Sequence, residues 1–226
     1  MRTNAEPAAS TPEPTSPSTE IRRLAARATD DRAALDAFLD SQLVAHVAVA
    51  EGETPIVVPM GYARDGDRIL LHGSTGGGFA LRAAARRRVL AVSVAALDGI
   101  VFARSLFDSS MNYRSAVVYG VPEIVPAEEA DAALVAIAER LMPGRAAELR
   151  GNRRKEIAAT RVLAVPIERF AMKVRSGPPS AAPDDDPDVW AGVVPLATVA
   201  GEPVPAADVP VGAPLPASVA RAAGHA

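Results

Sequence analysis

Residues 56–72 read Ile56-Val57-Val58-Pro59-Met60-Gly61-Tyr62-Ala63-Arg64-Asp65-Gly66-Asp67-Arg68-Ile69-Leu70-Leu71-His72. Two apolar, β-rich runs flank Arg64-Asp65-Gly66-Asp67, and Asp-Gly favours a tight turn, so the stretch predicts a β-hairpin. Pro59 removes a ladder hydrogen bond and predicts an edge or bulge. Gly61 permits close approach of a ring or another chain, although an irregular edge strand would read the same way.

Working outward, residues 44–50 predict a strand, and Asp30 or Asp31 caps a helix through about Gln42 with Leu35, Phe38 and Leu39 on one face. Downstream, Gly76-Gly77-Gly78 leads into a helix over 79–87. Strands follow at 89–94, 99–104 and 115–125, then a helix at 127–141 with Ala130, Leu134, Ile137 and Leu141 at helical spacing. A short helix over 146–158 and strands at 162–167 and 170–174 complete the pattern. About seven short antiparallel strands with two or three helices predict a mainly β, α+β domain closed or nearly closed into a barrel. No G-x-G-x-x-G or Walker-type loop points to a parallel Rossmann sheet.

The 226 residues suit one domain with tails. A net charge of −3 gives no reason to expect nucleic-acid binding. With no cysteine and with His46, His72 and His225 far apart, no metal site is expected. No apolar run approaches membrane-span length and no secretory signal is evident, so the expectation is a cytoplasmic protein off the membrane. Of 20 prolines, four precede residue 18 and ten follow residue 177. This divides the chain into a disordered tail (1–20), the barrel (21–176) and a Pro-rich arm (177–226) partly docked around Trp190, with its last ten residues unanchored.

Three segments carry candidate chemistry. In Leu71-His72-Gly73-Ser74-Thr75-Gly76-Gly77-Gly78-Phe79, glycines and a helix start offer N–H groups to a phosphate, Ser74 and Thr75 offer hydroxyls, and Arg82 offers charge. A flexible strand-to-helix connection would read alike. In 98–115, Arg104, Asn112, Arg114 and Ser115 are donors for phosphate, carbonyl or ring nitrogen, with an Arg104–Asp98 pair in a solvated loop as the bland alternative. The third segment is 55–62. His72, before the glycines, is the best acid/base candidate, whereas His46 reads as core.

Together, Val58-Pro59-Met60-Gly61-Tyr62, Leu71-His72-Gly73-Ser74, Asp98-Gly99 to Arg104-Ser105, and Ser110-Met111-Asn112-Tyr113-Arg114-Ser115 resemble the pyridoxamine 5′-phosphate oxidase-like, FMN-binding split-barrel proteins. The branch containing the nitroimidazole-resistance reductases also resembles Val189-Trp190-Ala191-Gly192-Val193. The resemblance implies a six-stranded antiparallel split barrel, a homodimer and two FMN molecules at the interface. It implies Val58, Pro59, Met60, Gly61 and Tyr62 along the isoalloxazine, and His72, Gly73, Ser74, Thr75, Gly78 and Phe79 around the phosphate. It implies Asn112, Arg114 and Ser115 as flavin contacts, Arg114 and Ser115 reaching from the neighbouring subunit.

Where many members carry a loop lysine, this chain has Gly77-Gly78-Phe79-Ala80, so neutral donors and a more distant arginine would hold the phosphate. A deazaflavin or haem could occupy a related cavity, with His72 the first place to look for a haem ligand. The expected activity is that of an FMN-dependent oxidoreductase acting on a small substrate, with His72 as proton donor and Arg114 stabilising reduced flavin. A flavin carrier or sensor without turnover is the alternative. No second basic cluster supports vitamin B6 phosphate oxidation.

Overall fold

The computed structural model describes residues 18–74 and 78–224. The expected disordered tail lies almost wholly outside the described residues, as do Thr75, Gly76, Gly77 and His225. Among the described residues ten strands form one antiparallel sheet: β1 (Ala28–Thr29), β2 (Val44–Glu51), β3 (Thr54–Asp65), β4 (Arg68–Ser74), β5 (Leu90–Phe102), β6 (Ser110–Gly120), β7 (Glu123–Ile124), β8 (Thr160–Pro166), β9 (Arg169–Arg175) and β10 (Gly192–Pro195). Their order is β1-β9-β6-β5-β2-β3-β4-β8-β7, with β10 on β5. Helices are α1 (Arg32–Ser41), α2 (Phe79–Ala85), α3 (Ala130–Leu141), α4 (Arg154–Ala159) and α5 (Ala217–Ala222).

The sheet curls because β3 changes partner along its length, pairing with β2 over Thr54–Gly61 and with β4 over Tyr62–Asp65. At the seam, β6 meets β8 so closely that a Cβ on Gly120 would lie 2.9 Å from Val165 Cγ1 and 3.0 Å from the Pro166 carbonyl. Inward residues of alternating strands (Val47, Tyr62, Leu71, Val92, Val118, Val165) build the core, and α1 plugs one end with Leu35, Phe38 and Leu39. Asp31 caps α1, accepting from the Ala33 and Ala34 amides at 2.9 and 3.2 Å. A second cluster, with Ala63, Leu70 and Val162, lies under α3 on the outer face.

Several expectations are corrected by tertiary pairing. The family's six strands, and the seven read from the pattern, become ten because short edge pairs add to the barrel. Residues 89–94 and 99–104 are one strand, β5, interrupted by a bulge between Leu97 and Gly99. The polar run 110–115 is not a loop but the start of β6, since its partners on β5 and β9 supply the ladder that propensity alone did not show. The helix read over 146–158 is a single 3₁₀ turn at Ala146–Glu148 followed by α4. The chain end is also anchored: Ser218 in α5 donates its amide (2.9 Å) and hydroxyl (2.6 Å) to Glu148.

Candidate functional site

β2 and β5 pair only over His46–Ala48 with Ala91–Ser93. Beyond His46 they part, and a groove of about 930 Å³ opens between Val44 and His46 on one side and Ala95–Asp98 on the other. The end of α1 (Ser41, Gln42), Arg114, and Leu196–Thr198 of the arm complete it. That volume falls in the range of small-molecule and cofactor sites.

His46 is therefore not a core residue. Strict alternation buries Ala45, Val47 and Val49 and turns His46 outward, opposite Pro59 and Ser93. The apolar neighbours of His46 mask its exposure, although the period-2 pattern is present in Ala45-His46-Val47.

The bulge sets the cationic part of the groove. It re-aims Asp98 so that its carboxylate accepts from Arg114 Nε at 3.0 Å and Nη2 at 2.7 Å. Arg114 also lies 5.1 Å over the Phe38 ring and donates to the Ser41 hydroxyl at 3.4 Å. The Asp98 hydrogen bonds hold the guanidinium above its ordinary pKa. Asp98 thus pairs with Arg114 and not with Arg104, whose Nη2 donates to the Pro187 carbonyl at 3.5 Å. Asn112 is buried and occupied: its amide donates to the Gly177 carbonyl at 3.1 Å and its oxygen accepts from Arg175. Ser115 lies opposite Ala95, on the outer face.

The five-residue run on β3 splits between faces. Val58, Met60 and Tyr62 point inward, while Pro59 and Gly61 face out. Tyr62 is buried, and its hydroxyl donates to the Leu39 carbonyl at 2.6 Å. Burial pushes that phenol well above its usual pKa. Its side chain therefore ties the barrel to α1 and leaves only backbone for a ring to touch. His72, Gly73, Ser74 and Gly78 are exposed at the end of β4 and the start of α2, and Phe79 is half-buried. Among the described residues nothing lies within 4 Å of where a Cβ would stand on Gly73 or Gly78, which leaves their backbone room to approach a phosphate. Arg82 is engaged by Glu51 at 2.7 Å. None of this β3–β4 set lines the groove that holds Arg114.

A split barrel with an outward apolar-cationic groove defines a class of cofactor-binding folds. The family model described as pyridoxamine 5′-phosphate oxidase matches residues 31–174, and the chain belongs to that family. A solved FAD and haem binding protein from Mycobacterium smegmatis is 44% identical, covers 85% of this chain and 95% of its own, and has a TM-score of 0.82. The flavocytochrome Anf3 from Azotobacter vinelandii is 32% identical over 93% of this chain and 98% of its own, with a TM-score of 0.84. A putative 5-nitroimidazole antibiotic resistance protein from Bacteroides thetaiotaomicron shares the fold at 21% identity, 65% and 86% coverage and a TM-score of 0.55. No curated protein matches.

Proposed function

We propose that this chain is a redox flavoprotein that also takes haem, with the haem in the groove beside His46 and the flavin along the outer face of β3–β4. The observation that carries it is His46: an outward imidazole in an open groove whose larger apolar walls are Leu43, Val44, Leu97 and Leu196 and whose charged pair is Asp98 and Arg114. Imidazole nitrogen is a haem iron ligand, and such a slot suits a porphyrin's apolar faces. Two relatives above 30% identity, an FAD and haem binding protein and a flavocytochrome, support the same pairing. They also favour FAD over the FMN expected from the motifs. Ligand duty moves from His72 to His46 because His72 stands outside the groove.

A bound flavin exchanges two electrons or one, and haem iron exchanges one at a time. The chain's own contribution is positional. Arg114, held by Asp98, presents positive charge to a propionate or reduced cofactor, and exposed His72 is the candidate proton donor near the flavin ring. We infer an oxidoreductase working as a homodimer on a small substrate; a carrier without turnover differs only in failing to be reoxidised by a substrate.

The test is the absorbance of the purified protein, followed by titration with FAD, FMN, deazaflavin and haem. A flavin spectrum together with a Soret band is expected. His46→Ala should lose the Soret band and keep the flavin, and His72→Ala should keep the haem. A colourless protein that takes up neither cofactor refutes the proposal, as does haem uptake indifferent to His46→Ala.

A further inference from the structure

Residues 82–88, which close α2, carry Arg82, Arg86, Arg87 and Arg88 on a chain whose net charge is −3. All of these arginines are exposed. Arg82, Arg86 and Arg88 converge on the end of β2 around Val49, Ala50 and Glu51. Glu51 accepts from Arg82 Nε at 2.7 Å, and that bond, with the charges of Arg82, Arg86 and Arg88, holds its carboxyl below its ordinary pKa. Even with Glu53 of the β2–β3 turn counted against them, the arginines are in excess, and the patch is positive.

Cations at a helix C-terminus complement its dipole, but the dipole requires neither three arginines in a row nor Arg87 where it stands. The helix closes in a Schellman turn: Arg87 and Arg88 donate their amides to the Ala84 and Ala83 carbonyls at 3.1 and 2.8 Å, and Arg87 takes the left-handed conformation at φ 49°. Glycine fits that position without strain, yet the chain keeps a guanidinium there. The depression between the side chains has a volume of about 10 Å³, room for a single water, so the patch does not enclose a small molecule. A shallow surface of one charge suits the face of an acidic protein instead. Its place also matters. From Gly78, beside the proposed flavin phosphate, α2 carries the chain roughly 10 Å to the patch. His46 lies at the other end of β2, roughly 17 Å from Glu51, so a partner seated on the arginines leaves the haem groove open.

We propose that the arginines closing α2 dock a small acidic electron-transfer protein, which delivers electrons to the flavin from the side away from the haem groove. Each encounter moves one electron, and the carrier's reduced centre is oxidised by one. Two encounters supply the two electrons of a fully reduced flavin, whose protons come from solvent. The inference rests on the proposed function for what is reduced, but not for the docking.

The probes are flavodoxin, an acidic carrier, and cytochrome c, a basic one. Calorimetry on the full chain as purified should show flavodoxin binding at low salt and on the order of ten-fold weaker binding at about 0.3 M salt, with no binding of cytochrome c. Arg86→Glu with Arg88→Glu should weaken flavodoxin binding on the order of ten-fold or more and slow its reduction of the flavin in parallel. The far-UV spectrum and the flavin content should not change, because both side chains are already in water. Arg87→Gly should raise the urea midpoint by relieving the left-handed residue and still weaken docking, a combination that a helix-capping role would not give. Flavodoxin binding that is absent, or indifferent to salt or to the glutamate variant, overturns the proposal. So does a glycine variant that docks as well as the wild type, or a short single-stranded oligonucleotide that binds as tightly as flavodoxin. Loss of flavin from the glutamate variant also overturns it, because the arginines would then hold the cofactor's phosphate. A chain that docks flavodoxin as expected yet takes up neither cofactor would refute the functional reading and leave the docking intact.

Discussion

Removing Asp98 isolates the interaction that fixes the groove's charge. Its carboxylate takes two charge-assisted bonds from Arg114, at 3.0 and 2.7 Å, and both side chains are 35% exposed. Buried hydrogen bonds to charged groups contribute about 1.5–3 kcal/mol, but solvent screening at this exposure pulls the pair toward the surface-bridge range. The expected coupling between Asp98 and Arg114 is therefore about 1–2 kcal/mol. Arg114→Ala should cost about 0.5–1 kcal/mol more than Asp98→Ala, because it also removes the cation–π contact with Phe38. The assay is a double-mutant cycle in urea on the cofactor-free protein, comparing midpoints at constant slope. A coupling indistinguishable from zero would show that the fork is not maintained in solution. Arg114 would then be a mobile cation, and the bulge would have no part in placing it.

Other outcomes follow from single contacts. Tyr62→Phe should cost about 0.5–1.5 kcal/mol in denaturation, the low end of burial costs because the Leu39 carbonyl keeps the Gln42 amide at 3.3 Å; flavin affinity should not change, as it would if the ring touched the cofactor. Gly120→Ala should cost about 1–3 kcal/mol by forcing the β6–β8 seam apart, read as a lower urea midpoint. Glu148 is lowered from 4.5 to about 2 by the Ser218 hydroxyl and amide and by Arg145. A depressed carboxylate stabilises fully above its unfolded value and loses that effect as pH falls through the folded one. The α5 contact should therefore weaken between pH 4.5 and about 2, seen as faster amide exchange at Ser218, and Glu148→Gln should remove that dependence.

The barrel was legible because its signals are local. Asp65-Gly66 set the hairpin, and the short apolar runs of β2, β4 and β8 read as strands without any partner being known. The site was less so, because its geometry comes from long-range pairing. Nothing in Leu97-Asp98-Gly99 announces a bulge; it arises from the register β5 keeps with β6 on both sides, and only that register sends Asp98 to Arg114 and away from Arg104. Tyr62 stood inside a cofactor motif, yet its inward phase on β3 gives its side chain to α1. The end of the arm looked unanchored because its anchor, Glu148, lies 70 residues away in sequence.

The bulge that aims Asp98 also admits the arm. Past Ser93, β5 no longer follows β2, and beyond the bulge its free edge takes β10 from Gly99 to Phe102, with the Leu196 amide donating to the Asp98 carbonyl at 3.1 Å. A Cβ at position 99 would lie 3.0 Å from the Val194 carbonyl and 3.1 Å from Val193 Cγ1. One of these is backbone, so relief requires β10 itself to move. Gly99→Ala should therefore act on the arm more than on the barrel: an overpacking penalty of about 1–3 kcal/mol exceeds what four residues of edge pairing can absorb, while the barrel ladders stay intact. Limited proteolysis should cut between residues 177 and 216 faster, with the barrel's urea midpoint nearly unchanged. Because Leu196–Thr198 form one wall of the groove, haem retention should fall in parallel with arm release. An arm that opens without loss of haem would place the haem elsewhere and return His72 to consideration as its ligand.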